Sequence, residues 1–248
     1  MLKDFTQENF DIVIQAGQSN SEGTGFGEAS APFEPHPDIW YLNADMTISQ
    51  AQERVWLNGI VGNFSLPFAR RYVQEGRLAA GRKLLIIRAA VGGTGFADHR
   101  WGLQDDLFLH MMEMIRTALA LNPANRLIAL LWHQGECEAY YSVPQAVHEA
   151  NLSALVNAVR AEFACPALPF LAGDFVPLWK QHNPTIIGET IQAMRQVCAQ
   201  IGAARFVESD GLASNQENIG NEDDIHFCRE ALYTLGERYY EAFCALVK

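Results

Sequence analysis

Residues 83–90, Lys83-Leu84-Leu85-Ile86-Ile87-Arg88-Ala89-Ala90, run directly into Val91-Gly92-Gly93-Thr94-Gly95. An apolar run this short, without polar alternation, fits a strand covered on both faces, as in a parallel sheet. The glycine-rich stretch behind it fits a turn at the strand's carboxyl end. Two further stretches repeat the pattern. Residues 11–16 (DIVIQA) lead into Gly17-Gln18-Ser19-Asn20, and residues 127–132 (LIALLW) lead into His133-Gln134-Gly135-Glu136. Residues 169–173 and 204–208 read as two more strands, and residues 39–42 as a short one.

Helical patterns lie between these runs. Residues 105–121 open on two acids, which favour a helix N-terminus, and stop at Asn122-Pro123. Ser142 and Pro144 mark another helix start, with Leu152, Leu155, Val156, Val159 and Phe163 as its apolar stripe. Residues 184–202 and 230–247 suit two more helices. In the last of them Leu232, Leu235, Tyr239, Ala242, Phe243 and Leu246 share one face. This alternation predicts an α/β fold: a three-layer α/β/α sandwich with a mainly parallel sheet, right-handed crossovers and one domain over residues 1–248. Residues 22–62 are rich in Gly, Pro and Asn and read mostly as long loops, which often border a site.

The formal net charge of -11 argues against a nucleic-acid surface or an anionic membrane, which both require clustered Lys and Arg. No stretch approaches the roughly 20 apolar residues that span a bilayer, and the opening MLKDFTQENF carries no secretory pattern. The five cysteines are odd in number and scattered, with no Cys-x-x-Cys, so reduced thiols in a cytoplasmic protein are expected. The expected partner is a small molecule, with no nucleic acid and no membrane; composition leaves the oligomeric state open.

Ligands of open parallel sheets bind beyond the carboxyl ends of the strands. The segments 17–20, 91–95 and 133–136 follow three such ends, and Asp223-Asp224-Ile225-His226 precedes the last helix. These residues match the needs of acyl transfer. A serine hydroxyl, here Ser19, attacks only when an imidazole such as that of His226 takes its proton, and a carboxylate must fix the imidazole's tautomer. Asp223, three residues before His226, is within reach; Asp224 and Glu136 stay open as alternatives. The N–H groups of Ser19 and Gly93 could receive an oxyanion, with the Gln134 amide as a third donor.

The blocks GQSN, GGTG, WHQGE and DDIH, in this order, resemble those of the SGNH (GDSL-like) hydrolases. They are most similar to the branch holding sialate O-acetylesterases and the acetylxylan esterases of carbohydrate esterase family 6. The resemblance runs from Gln15 to about Phe227. It implies a flavodoxin-like sheet, Ser19 as nucleophile, His226 as base, Asp223 as orienting acid, and an oxyanion hole from Ser19, Gly93 and Gln134. It further implies hydrolysis of acetyl esters on carbohydrates through an acyl-serine, with neither metal nor cofactor. Gln18 stands where the wider family has the Asp of GDSL, and Gln134 where it has an Asn; both suit the acetylesterase branch.

Rival readings are weaker or equal. Ser19 alone could cap a helix. The glycines at 23, 25 and 27 lack the lysine of a phosphate loop, and His133, Glu136 and Cys137 lack the spacing of a zinc site. Trp40, Trp101, Trp132, Tyr140 and Tyr141 could face a sugar or lie in the core. Asn20, Arg100 and Trp101 are candidates for substrate contact, Arg100 as a partner for sugar hydroxyls or a carboxylate. A short-chain thioesterase or lipase of the same superfamily, or a noncatalytic carbohydrate-binding protein, is the alternative to an esterase.

Overall fold

The computed structural model describes residues 4–57 and 59–247. Its main sheet contains β1 (Asn9–Gly17), β2 (Ile39–Leu42), β3 (Ile48–Gln50), β6 (Arg82–Arg88), β7 (Arg126–His133), β8 (Phe170–Gly173) and β9 (Ala204–Val207), while β4 (Arg54–Trp56) and β5 (Gly59–Val61) form a separate antiparallel hairpin. The sheet order is β3-β2-β6-β1-β7-β8-β9, with every pair parallel except β2 and β3. Without the β2–β3 edge, the remaining five strands follow the doubly wound order 2-1-3-4-5. The α/β sheet expected from the alternating runs is therefore present.

The helices are α1 (Ser19–Glu22), α2 (Ser65–Gln74), α3 (Asp106–Ala120), α4 (Glu136–Tyr140), α5 (Gln145–Glu162), α6 (Pro177–His182), α7 (Gly188–Gln200), α8 (Asn215–Ile219) and α9 (Arg229–Leu246). Helix α2 packs on α9, and α5 packs on α7 with α3 tied to α5 through Arg116 and Glu162. The two groups cover the sheet from both sides, which is why the central strands are apolar throughout. Ile12, Val13, Ile14, Leu84, Leu85, Ile86 and Ile87 are all fully buried. The α9 stripe buries Leu232, Leu235, Tyr239 and Phe243. Gly236 lies where α9 crosses α2, and a Cβ there would run into the Phe64 carbonyl.

The helix expected over 184–202 begins four residues late, at Gly188, because residues 184–186 form a turn. Helix α2, the hairpin and the short α6 and α8 were not foreseen. Among the described residues no helix is long and apolar enough to cross a membrane.

One feature of the core is sensitive to acid. His133 and His148 are fully buried; one nitrogen of His133 and both of His148 lack a partner among the described residues. Burial pushes the His133 imidazole down to about 3 and that of His148 down to about 4. Above about pH 6.5 both rings are neutral, folded or unfolded. Below it the unfolded chain gains protons that the folded chain refuses, so stability falls towards pH 4 by about 1.4 kcal/mol per pH unit for each ring. Glu136 and Glu138, raised by burial, act in the opposite sense. The contribution of His148 is isolated by His148→Leu. Its urea-unfolding free energy should fall less steeply than wild type between about pH 6.5 and pH 4, by about 1.4 kcal/mol per unit; parallel pH profiles would refute this assignment.

Candidate active site

Strand β1 ends at Gly17, whose φ of +125° and lack of a Cβ let the chain lie against the His133 carbonyl at the end of β7. The Gln18 N–H donates to that carbonyl at 2.9 Å, and the Ser21 hydroxyl donates to the Ala16 carbonyl at 2.9 Å. This close approach of β1 and β7 coincides with the place where the strand order reverses, the usual ligand crevice of such sheets. Ser19 emerges there as the first residue of α1.

His226 meets it from the far end of the chain. Ser19 Oγ lies 2.8 Å from His226 Nε2, and His226 Nδ1 lies 2.8 Å and 3.0 Å from the two Asp223 carboxylate oxygens. Asp223 also accepts from the His226 N–H at 3.2 Å and from Asn215 Nδ2 at 2.9 Å. Burial raises the Asp223 carboxyl, but the hydrogen bonds from His226 and Asn215 outweigh it and hold the group below its ordinary value. Nδ1 thus faces an ionised acceptor and carries the proton, leaving Nε2 free to accept from Ser19.

Asn20 fixes the distance between these two ends. Its Oδ1 accepts from the Phe227 N–H at 3.1 Å, while its Nδ2 donates to the Ile225 carbonyl at 3.0 Å and to Glu136 Oε1 at 2.9 Å. Asn20 is therefore fully buried and does not line the cleft, contrary to its expected place against substrate. Glu136 is spent on Asn20 and makes no hydrogen bond to His226; Asp224 sits 2.6 Å from His182 Nδ1. Of the three candidate acids, only Asp223 touches the imidazole.

Beside Ser19 the structure offers two backbone donors. Among the described residues, no acceptor meets the N–H of Ser19 or of Gly93, and both residues line the cleft. Gly93 has φ of +70°, a left-handed turn that glycine adopts without strain. Gln134 is placed differently from its expected third-donor role. Its side chain is fully buried, and its amide donates to Glu138 and, at 3.4 Å, to Gln18 Oε1, so it does not face the cleft. Cys137 lines the cleft, but burial, followed by nearby carboxylates, pushes its thiol up to about 12. It is a poor nucleophile.

The cleft has a volume of about 620 Å³ and opens between α1, the β4–β5 hairpin and α4. Trp56 stacks on Phe26 at 5.6 Å and carries the Arg54 guanidinium 5.3 Å from its ring. Arg54 is in turn tied to Glu22 at 2.9 Å. Tyr140 and Tyr141 stand exposed on the other side. Of the five aromatic residues singled out in the sequence, these two reach the cleft. Trp101 and Trp132 are fully buried and meet edge-to-face at 5.1 Å, and the Trp101 N–H donates to Thr94 Oγ1, so Trp101 braces the glycine loop instead of facing substrate. Trp40 lies on β2, between β3 and β6, and does not line the cleft. Arg100 is held by Asp106 at 2.8 Å and does not line the cleft.

Sequence reasoning missed Arg54, Trp56 and Glu22. A signal was present in the sequence: the dipeptide Asn58-Gly59, which favours hairpins, stands between Val55-Trp56-Leu57 and Ile60-Val61.

A flavodoxin-like sheet with serine, histidine and aspartate hydrogen-bonded in line at its switch point defines the SGNH hydrolase class. Within that class, residues 9–245 match the family model described as carbohydrate esterase, sialic acid-specific acetylesterase, and the chain belongs to that family. It is 27% identical over 125 residues to a probable 9-O-acetyl-N-acetylneuraminic acid deacetylase of Escherichia coli; this alignment spans 41% of the chain and 38% of that protein's length. Among solved structures, NanS superposes with a TM-score of 0.77 at 19% identity, covering 96% of this chain and 98% of NanS. A carbohydrate acetylesterase from Xanthomonas citri gives 0.63 at 17% identity, covering 94% of this chain and 55% of that one.

Proposed function

We propose that the chain hydrolyses acetyl esters on carbohydrates through an acetyl-serine intermediate. The observation that carries this reading is the continuous hydrogen-bonded line Ser19–His226–Asp223 beside two unclaimed N–H groups. Ser19 Oγ attacks the acetyl carbonyl carbon while its proton passes to His226 Nε2. Asp223 stabilises the resulting imidazolium, and the Ser19 and Gly93 N–H groups receive the oxyanion. Collapse breaks the carbon–oxygen bond to the sugar, whose oxygen takes the proton from Nε2. Water then attacks the acetyl-serine, giving its proton to Nε2, and acetate leaves as Ser19 regains it. Every step uses groups of the chain itself.

The exposed rings of Trp56, Tyr140 and Tyr141 suit the flat apolar face of a sugar, and family membership supports the same substrate class. The name of the Escherichia coli relative makes O-acetylated sialic acid the first compound to test. The five cysteines are all free, which agrees with a reducing, cytoplasmic setting. The test is acetate release from acetylated sialic acid and neutral sugars, beside acetate, butyrate and octanoate esters of one alcohol. Turnover of acetylated sugars, with rates falling as the acyl chain lengthens, is expected. Rates rising with chain length would replace this reading with a lipase-like one, and sugar binding without turnover would make the protein a binding module.

A further inference from the structure

The loop after β6 shows an uneven use of its backbone donors. The Val91 N–H donates to the Gly17 carbonyl at 3.1 Å, Gly92 to Glu22 Oε2 at 3.0 Å, and Gly95 to Asp98 Oδ1 at 2.9 Å. Phe96 and Ala97 both donate to Glu138 Oε1, at 2.6 Å and 3.1 Å. Gly93, in the middle and on the cleft wall, donates to nothing among the described residues. A loop held at neither end could swing this N–H away from the cleft. Carboxylates at both ends prevent this: Glu22 at one, Glu138 at the other.

Glu138 is the less exposed of the two clamps. It is fully buried on α4, and its second oxygen accepts from the Gln134 amide, which reaches on to Gln18, the neighbour of Ser19. The loop can come this near only because Gly95 has no side chain; a Cβ there would strike Glu138 Oε1 and the Cys137 side chain. An acceptor with no donor of its own is what this place requires, since three N–H groups converge on it.

We propose that Glu138 is a positioning residue for the Gly93 N–H, holding the far end of the loop so that this donor points at the oxyanion of the acetyl-transfer reaction. The inference rests on the acyl-serine reading above. Its consequence is a split in the kinetics: a misaimed oxyanion donor weakens the transition state but leaves ground-state sugar binding alone.

Glu138→Leu tests it, with Glu138→Gln as the rescue. Leucine accepts from none of the three donors, whereas the glutamine oxygen still accepts from Phe96 and Ala97 and its amide can donate to the unpartnered Gln134 oxygen, so Glu138→Gln keeps the clamp. Active sites are counted by titration with a fluorophosphonate, which removes any effect of lost folded protein. Per titrated site, kcat of Glu138→Leu should fall about a hundredfold with KM within about twofold, affinity for a trifluoromethyl ketone mimic of the tetrahedral intermediate should fall by the same factor, and Glu138→Gln should recover most of both losses. A kcat and mimic affinity of Glu138→Leu within about threefold of wild type, or a Glu138→Gln as impaired as Glu138→Leu, would overturn the proposal. If Glu138→Leu does not fold, Glu22→Ala, at the part-exposed clamp on Gly92, carries the test: both quantities should drop about tenfold, and unchanged values refute the clamp. Absence of turnover and of Ser19 labelling in wild type is a different result; it removes the acyl-serine reading, and the positioning role with it.

Discussion

Ser19→Ala is expected to lower kcat/KM for acetyl esters by about 10⁴-fold or more, leaving the remainder to binding and the oxyanion donors. The fold should survive. The Ser19 side chain makes one hydrogen bond, to His226, and fills no core position. Unfolding free energy should therefore shift by no more than about 0.5 kcal/mol. Hydrolysis of 4-nitrophenyl acetate and a thermal melt, measured on the same preparations, check both halves. Activity within tenfold of wild type would mean that another group attacks the ester. Cys137 is the neighbouring candidate by position, but a thiol pushed up to about 12 holds almost no thiolate near neutrality.

Asp223→Asn should be the second most damaging change, at about 10³- to 10⁴-fold in kcat. Asparagine keeps the shape but presents an N–H as readily as an oxygen. The imidazole can then place its own proton on Nε2, where it can no longer accept from Ser19. The imidazolium of the transition state also loses its counter-charge. Glu136→Gln supplies the contrast, because an amide oxygen can still accept from Asn20 Nδ2, and the imidazole is not touched. Its kcat should stay within about tenfold of wild type. The opposite ranking of these two variants would make Glu136 the acid that serves His226.

Strands and helices were legible because burial on both faces leaves a coarse mark on composition. Residues 83–90 could hardly be anything but a central strand, and the observed β6 covers Arg82–Arg88. Ser19, Gly93, Asp223 and His226 were legible for a related reason: each lies at an element end, where local sequence and three-dimensional place coincide. The readings that moved concern side-chain direction. Gln134 follows its strand as expected, yet its amide turns inward because a buried carboxylate one helical turn away demands donors. Arg100 stands near the right loop but finds Asp106 six residues on, a pairing that no apolar period marks. Trp56 reached the cleft through a hairpin outside the sheet, and its short strands were hidden in a segment read as loop. Sequence periodicity reports which side of an element is wet. It does not report which of two polar partners a side chain will choose.

Ser19 and His226 are separated by 207 positions, and Asn20 bolts the segments around them together. A ribosome making this chain releases the hydroxyl well before its proton acceptor. Until α9 has emerged and docked on α2, the serine is chemically as quiet as any other alcohol in the cell. Catalytic competence thus doubles as a proofreading signal. A molecule that turns over has brought the end of β1 against the segment leading into α9, and hydrolysis during refolding would time that closure directly.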